Sequence, residues 1–246
     1  MPGPAIAGAN QATAEYLLFL NPDARLLPDT VRTVCDYMDR EDAKSVGICG
    51  VRLLNEHGDL HRHCARFPSL RTYLGLAFGL TAVLPRHFPP HFMLEFDHQT
   101  SREVDQVMGA FFFVRRELFN ALRGFDERFF VYFEEVDFSL RAKRQGWSTY
   151  YLAQAAAFHK GGGVSEHVKA HRLFYSLRSR ILYAFKHFRR MEAWAVAAVT
   201  LLIEPFPRLL RAVLRHSPTE ARDTLRGYAM LWRDVPNILR SPAHGG

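Results

Sequence analysis

The apolar positions of this chain come as short solid runs in its first two thirds and as helical stripes in its last third. "YLLFL" at 16–20 is an apolar run stopped by Asn21-Pro22, the pattern of a buried strand running into a loop. Pro28 opens a segment in which Val31, Val34, Cys35 and Met38 share one helical stripe, and "VGICGV" at 46–51 reads as the next strand. "LLNEHGDLHRH" predicts a hairpin turning at Gly58. The stretch from Phe67 to Arg102 has no usable period and is left as a connector. Strand pattern returns at Val107–Val114, followed by a short helix over Arg115–Leu122, a loop at "RGFDERFF", an acidic helix ending before Gly146, and strands at Ser148–Leu152 and Ala156–His159. Beyond Gly161–Gly163 the pattern is helical to the end, and no internal repeat is visible.

Strands alternating with helices predict an α/β domain over 1–163 and a helical region over 164–246. In such sheets ligands bind beyond the carboxyl ends of strands, which is where Asn21-Pro22-Asp23 falls.

Charge refines this division. The net charge is +7, but residues 1–160 carry 18 Lys+Arg against 19 Asp+Glu, whereas residues 161–246 carry 14 against 6. The tail also holds an apolar run from Ala193 to Ile203, with Lys186, Arg189 and Arg190 before it and Arg208, Arg211 and Arg215 after it. That run is shorter than the roughly 20 residues a bilayer span requires. Apolar helices edged by arginine suit the surface of an anionic membrane, and the alternative is an ordinary helical subdomain with a solvated basic face. A nucleic-acid partner is not expected, because the basic residues fall in apolar helices without a stacking platform or a binding motif. Cys35, Cys49 and Cys64 lack paired spacing and suggest a reducing compartment. With no secretory leader legible at the start, the expected location is cytoplasmic, peripheral on the inner face of the cell membrane.

Three short segments carry candidate chemistry: "LNPD" at 20–23, "FEEVDF" at 133–138 and "FHKGGG" at 158–163. Each has an ordinary structural explanation. Asn-Pro-Asp is a common turn, a histidine at a strand end is often only hydrogen-bonded, and acidic residues cap helix N-termini. Taken together and in order, they resemble the inverting family 2 glycosyltransferases of the GT-A fold, in particular the rhamnosyltransferase-like members that build bacterial surface polysaccharides. The resemblance runs from about Asn10 to about His187, through "GANQATAEYLLFLNPDARLLPDT", "VDQVMGAFFFVRRELFNALRGFDERFFVYFEEVDFSLRAKRQGW" and "AFHKGGGVS".

The resemblance implies a GT-A-like (Rossmann-like) mixed sheet flanked by helices and the transfer of a sugar, rhamnose among the candidates, from a nucleoside-diphosphate sugar to a lipid-linked or polysaccharide acceptor, with inversion. It makes Glu135 the base, with Glu134 beside it. Asp23 and His159 become ligands of a divalent metal, Mg or Mn, and Asn10, Asn21, Gly109 and Ala110 become donor-binding positions. Close packing within a strand is an equally good account of Gly109-Ala110. Asp137, four residues before Arg141, is read as a helix-face ion pair that orients the segment. Arg178 and Arg180 could reach a phosphate, although solvated helix charge is the simpler reading. Two departures stand out: Asn21 replaces the first aspartate of the family's metal motif, and Glu135 stands where the family commonly has Asp. The chain also begins after the strands that hold the nucleotide base and ribose in the family, so it is expected to be N-terminally truncated, with an inactive remnant as the competing reading.

Overall fold

The computed structural model describes residues 4–161 and 169–240, the side chains of residues 4–6 and 10 excepted; Gly162, Gly163 and the expected boundary at 163/164 lie outside the described residues. The chain forms two compact units. The first comprises Met1–Phe67, His91–Glu127 and Glu134–Gly163, and the second Pro68–Pro90, Arg128–Phe133 and Val164–Gly246.

In the first unit the elements are α1 (Pro4–Gln11), β1 (Tyr16–Leu20), β2 (Ala24–Leu26), α2 (Thr30–Met38), β3 (Val46–Leu54) and β4 (Leu60–His61). The second unit contributes α3 (Leu70–Ala77) and α4 (Leu80–Val83) before the first resumes with β5 (Arg102–Val104), β6 (Phe111–Arg115), α5 (Arg116–Ala121), α6 (Glu134–Arg144) and β7 (Ser148–His159). The sheet is mixed, in the order β1-β6-β3-β7-β2, with β4 paired to β3 and β5 to β7. Pairing is antiparallel for β1–β6 and β6–β3 and parallel for β3–β7, so β1, β3 and β7 point the same way.

Both faces of the sheet are covered, which explains the solid apolar runs. Phe111 and Phe113 of β6 pack with Val34 and Met38 of α2 on one face, whereas Phe112 and Val114 pack with Phe119 of α5 and Phe138 of α6 on the other. Gly50 in β3 is required by close approach: a Cβ there would stand 2.6 Å from Val107. Arg115, buried at the end of β6, ties three neighbours together. Its Nε donates to the Val46 carbonyl at 2.9 Å and its Nη2 to the Met38 carbonyl at 2.6 Å and the Ala43 carbonyl at 3.3 Å.

The structure corrects the expected elements at several points. The two strands expected over 148–159 are one strand, β7, whose register against β3 shifts between Val51 and Arg52, so that Leu152 and then Ala156 take successive partners. The bulge interrupts the sequence pattern without ending the strand. β2, β5 and α1 were not expected, and the unassigned connector holds α3, with a capping box at Ser69–Thr72, and α4. The helix expected over Arg115–Leu122 is Arg116–Ala121, because Arg115 ends β6.

In the second unit α7 (Lys169–His187), α8 (Arg190–Ala198), α9 (Pro205–Leu214) and α10 (Pro218–Arg240) pack together, with a π-helical segment, Val199–Ile203, joining α8 to α9. Arg190–Leu214 is thus one helix of 25 residues, long and apolar enough to cross a membrane by length and composition. The sequence reading, which counted only the uninterrupted apolar run to Ile203, took it as too short. The π turn has a local cause: Pro205 has no N–H for the Leu201 carbonyl, and the Trp232 indole N–H donates to it instead, at 3.1 Å. Nor are the two arginines of α7 solvated charges. Arg178 bonds Asp234 at 2.7 Å and the Arg128 carbonyl at 2.8 Å, and Arg180 pairs with Glu204, which also holds Arg208 at 2.6 Å.

Replacing Arg115 by Met leaves buried carbonyls of Met38 and Val46 without their donor, and is expected to cost roughly 3–5 kcal/mol. Arg115→Lys should recover only part of the loss, since an ammonium lacks the planar fork. Urea midpoints of the variants give the measurement.

Candidate active site

The directions of the strands fix where the candidate residues gather. β1 and β7 end, and antiparallel β6 begins, at one edge of the sheet, with Leu20 opposite Phe111. The chain leaves β1 through Asn21-Pro22-Asp23, a turn closed by the Ala24 N–H donating to the Asn21 carbonyl at 2.9 Å, with Pro22 holding its second position. The same loop is fastened to β6, because the Asn21 N–H donates to the Ala110 carbonyl at 3.1 Å. β2 then pairs antiparallel with the end of β7, placing Ala24 opposite His159. Asp23 therefore arrives beside His159, with its Oδ1 3.4 Å from His159 Nε2, and its carbonyl accepts the Lys160 N–H at 3.1 Å.

Gly109 and Ala110 precede β6 on this edge. A Cβ at Gly109 would lie 3.8 Å from the Glu135 carboxyl carbon, so the absence of a side chain leaves the Glu135 carboxyl in direct reach of the backbone there. Glu134 and Glu135 open α6, whose first turn is acidic and whose last turn carries Arg141, Lys143 and Arg144, complementing the helix dipole at both ends. The residues just before them, Tyr132 and Phe133, both have positive φ, at 66° and 72°. Two consecutive bulky residues in the left-handed region are strained backbone, the kind that persists where the surrounding structure fixes it.

A helix N-terminus ordinarily leaves its carboxylates in water; here both residues are half-buried, and one carboxyl oxygen of each is shut off from solvent. Burial pushes the Glu134 carboxyl up to about 8, with the Glu135 charge adding to the shift. Burial raises Glu135 as well, opposed by the backbone amides of Glu135, Val136 and Gly109. Oε2 of each is buried without a hydrogen-bond partner. Both carboxyls are thus raised, and Glu135 has three backbone amides favouring its charged form against one at Glu134. Asp137 lies fully buried two positions further on, paired with Arg141 at 2.8 Å. Arg141 also donates to the carbonyls of Leu122 at 2.7 Å and Gly124 at 2.8 Å, so the pair staples the start of α6 to the turn after α5.

The donor set at Asp23 and His159 suits a hard divalent cation. A carboxylate and an imidazole stand together at a strand edge, and His159 Nδ1 is buried without a partner. Among the described residues no group of three or more His, Cys, Asp or Glu is placed to hold a metal, so such a cation would take its remaining ligands from water and substrate. Of the expected positions, Asp23, His159, Asn21, Gly109, Ala110, Glu134 and Glu135 are linked along this one edge. Asn10 lies in α1, and its side chain is outside the described residues. His61 was not singled out in the sequence. Its ring stacks near-parallel on His159 at 6.3 Å, and burial and His159 together lower its basicity. Its place at the end of a two-residue strand gave no periodic signal.

A sequence model described as "Glycosyltransferase like family 2" matches residues 5–197. N-acetylglucosaminyl-diphospho-decaprenol L-rhamnosyltransferase of Mycobacterium tuberculosis (strain CDC 1551 / Oshkosh) is 27% identical over 167 residues, covering 64% of this chain and 52% of that protein. Rhamnosyltransferase WbbL of Escherichia coli (strain K12) is 29% identical over 149 residues, covering 60% of this chain and 53% of its own length. The chain thus spans about half the length of these curated relatives. Among solved structures, the mannosyltransferase PcManGT from Pyrobaculum calidifontis in complex with GDP-Man and Mn2+ aligns with a TM-score of 0.47 at 13% identity, over 96% of this chain and 65% of that one, a likeness too weak to build on. With the family match running from α1 through α8 and taking in every candidate residue of the sheet edge, the chain belongs to glycosyltransferase-like family 2.

Proposed function

We propose that this chain carries acceptor-side and metal-binding residues of an inverting sugar transfer. The donor is a nucleoside-diphosphate sugar, with rhamnose as the leading candidate for the sugar, and the acceptor is lipid-linked or a polysaccharide. The observation that carries this reading is the half-buried Glu134–Glu135 pair beside Gly109, on the same sheet edge as the Asp23–His159 pair. The names of the matched relatives, a decaprenol-linked rhamnosyltransferase among them, favour the substrate class.

The reaction requires a base on one side of the anomeric carbon and charge neutralisation on the other. The acceptor hydroxyl oxygen attacks the anomeric carbon and its proton passes to Glu135, while the bond from that carbon to the diphosphate oxygen breaks and its electron pair leaves with the nucleoside diphosphate. Glu135 fits the base because burial raises its basicity while three backbone amides still favour its charged form, and burial together with the Glu135 charge pushes the neighbouring Glu134 carboxyl up to about 8. Asp23 and His159 would hold a Mg or Mn ion, which when bound supplies positive charge to the departing diphosphate. Gly109 and Ala110 give the sugar close access to the backbone, the Asn21 loop borders the donor, and Asn10 is assigned to the donor side on the family resemblance. Asp137 and Arg141 act at one remove, holding the start of α6 in place. A lipid-linked acceptor would keep the protein on the cytoplasmic face of a membrane.

Glu135→Gln is expected to leave the fold and donor binding intact while lowering turnover at least about 10²-fold, the usual cost of removing a general base. Single-turnover assays test it, and near-normal turnover would transfer the role to Glu134. Asp23→Ala and His159→Ala should each raise the Mn²⁺ concentration needed for half-maximal activity; an unchanged requirement in both would exclude this cation site.

The acid pair also predicts a pH dependence of stability. Because the Glu134 carboxyl is raised in the folded state, its protonated form favours folding below the ordinary carboxylate range, and that contribution is lost as pH rises toward about 8. Urea midpoints should decline over this interval, and Glu134→Gln should flatten the decline.

A further inference from the structure

Apolar side chains cover the outward face of the continuous helix Arg190–Leu214. Met191, Trp194, Leu202, Phe206, Leu210 and Leu214 recur at helical spacing and are between 45% and 80% exposed. Ala198 continues the line between Trp194 and Leu202, and it too is exposed. The stripe therefore runs the length of the helix, about 37 Å at 1.5 Å per residue. The opposite side is built into the second unit. Ala193, Val196 and Thr200 are buried there, Glu204 is 3% exposed, and it is held by Arg180 and Arg208. A helix with an internal ion network on one side and bare apolar side chains on the other cannot be surrounded by lipid, but it can lie in an interface.

Charge selects the occupant. Arg189 and Arg190 are exposed at one end of the stripe and Arg211 and Arg215 at the other, in a region, 161–246, with 14 Lys+Arg against 6 Asp+Glu. An apolar stripe with cations at both ends complements an acyl layer beneath anionic headgroups.

We infer that the outward face of Arg190–Leu214 inserts in-plane into the anionic surface of a lipid bilayer, its length being used along the membrane and not across it. This deepens the peripheral-membrane part of the proposed function by assigning the residues that enter lipid. It does not depend on the transfer chemistry, so Glu135→Gln, which tests that chemistry, should bind vesicles as the parent protein does.

The test uses the full chain with vesicles of phosphatidylcholine, with and without phosphatidylglycerol. The parent protein is expected to co-sediment with the anionic vesicles at low salt and to be released as salt rises. Its tryptophan emission should shift to the blue and be quenched by shallow brominated acyl chains, a signal that Trp194→Phe diminishes. The triple substitution Leu202→Ser, Phe206→Ser and Leu210→Ser replaces exposed side chains, so it should keep its circular dichroism and thermal midpoint while losing at least ~10-fold in vesicle partition. Unchanged partition of the triple variant overturns the proposal, as does equal binding to neutral vesicles. A parent protein that sediments as a dimer while the triple variant is monomeric assigns the stripe to a second copy and likewise overturns it.

Discussion

The parallel pairing of β3 with β7 is the constraint from which the candidate site follows. β7 is the longest strand, and it has neighbours on both sides: β3 on one, β2 and β5 on the other. Because it runs parallel to β3, its carboxyl end falls at the edge where β1 also stops, and His159 is delivered to the turn that carries Asp23. The bulge opposite Val51–Arg52 is part of that delivery. Side chains alternate across a sheet, so a one-residue slip would turn His159 to the other face and separate it from Asp23.

A second tension governs the start of α6. Helix amides attract carboxylates, whereas burial rejects their charge. Here burial prevails at Glu134, and the amides temper it at Glu135. The start of α6 is held in this unfavourable position by Arg141, which ties Asp137 to the carbonyls of Leu122 and Gly124. Within the second unit, the loop with left-handed Tyr132 and Phe133 is fixed by the Ser179 hydroxyl donating to the Val131 carbonyl at 3.1 Å and by the Arg172 Nε donating to the Tyr132 hydroxyl at 3.1 Å. Strain retained at such a junction is consistent with a site whose geometry matters more than its local stability.

What the sequence disclosed was what local pattern encodes. The runs at 16–20 and 46–51, the stripe from Val31 to Met38 and the turn at Gly58 each carry their signal within a few residues, and each corresponds to an observed element. The candidate residues were legible only in combination, because Asp23, Gly109, Glu135 and His159 are far apart in the chain and are united by strand direction. What escaped notice depends on tertiary context. β2 and β5 are three-residue strands that exist because β7 offers them an edge, and the connector's helices carry no long stripe. His61 has meaning only once β4 is paired to β3. Arg178 and Arg180 read as surface charge because their partners, Asp234 and Glu204, lie 56 and 24 residues further along the chain.

The second unit inverts the usual distribution of polarity. Globular domains bury apolar side chains and leave charge outside; in this unit Arg180 and Glu204 are buried, while Leu202, Phe206 and Leu210 are open to solvent. Each half of that arrangement is costly in water. The buried charges are tolerated because they are mutually paired, with Glu204 also holding Arg208, and replacing such a network with apolar residues would often be neutral or stabilising. The exposed leucines and phenylalanine have no such compensation among the described residues. An internal ion network does, however, fix the rotation of a helix about its own axis, as an apolar packing of interchangeable leucines would not. Glu204 directed inward makes Leu202 and Phe206 face outward, so the buried charge sets the orientation of the apolar stripe.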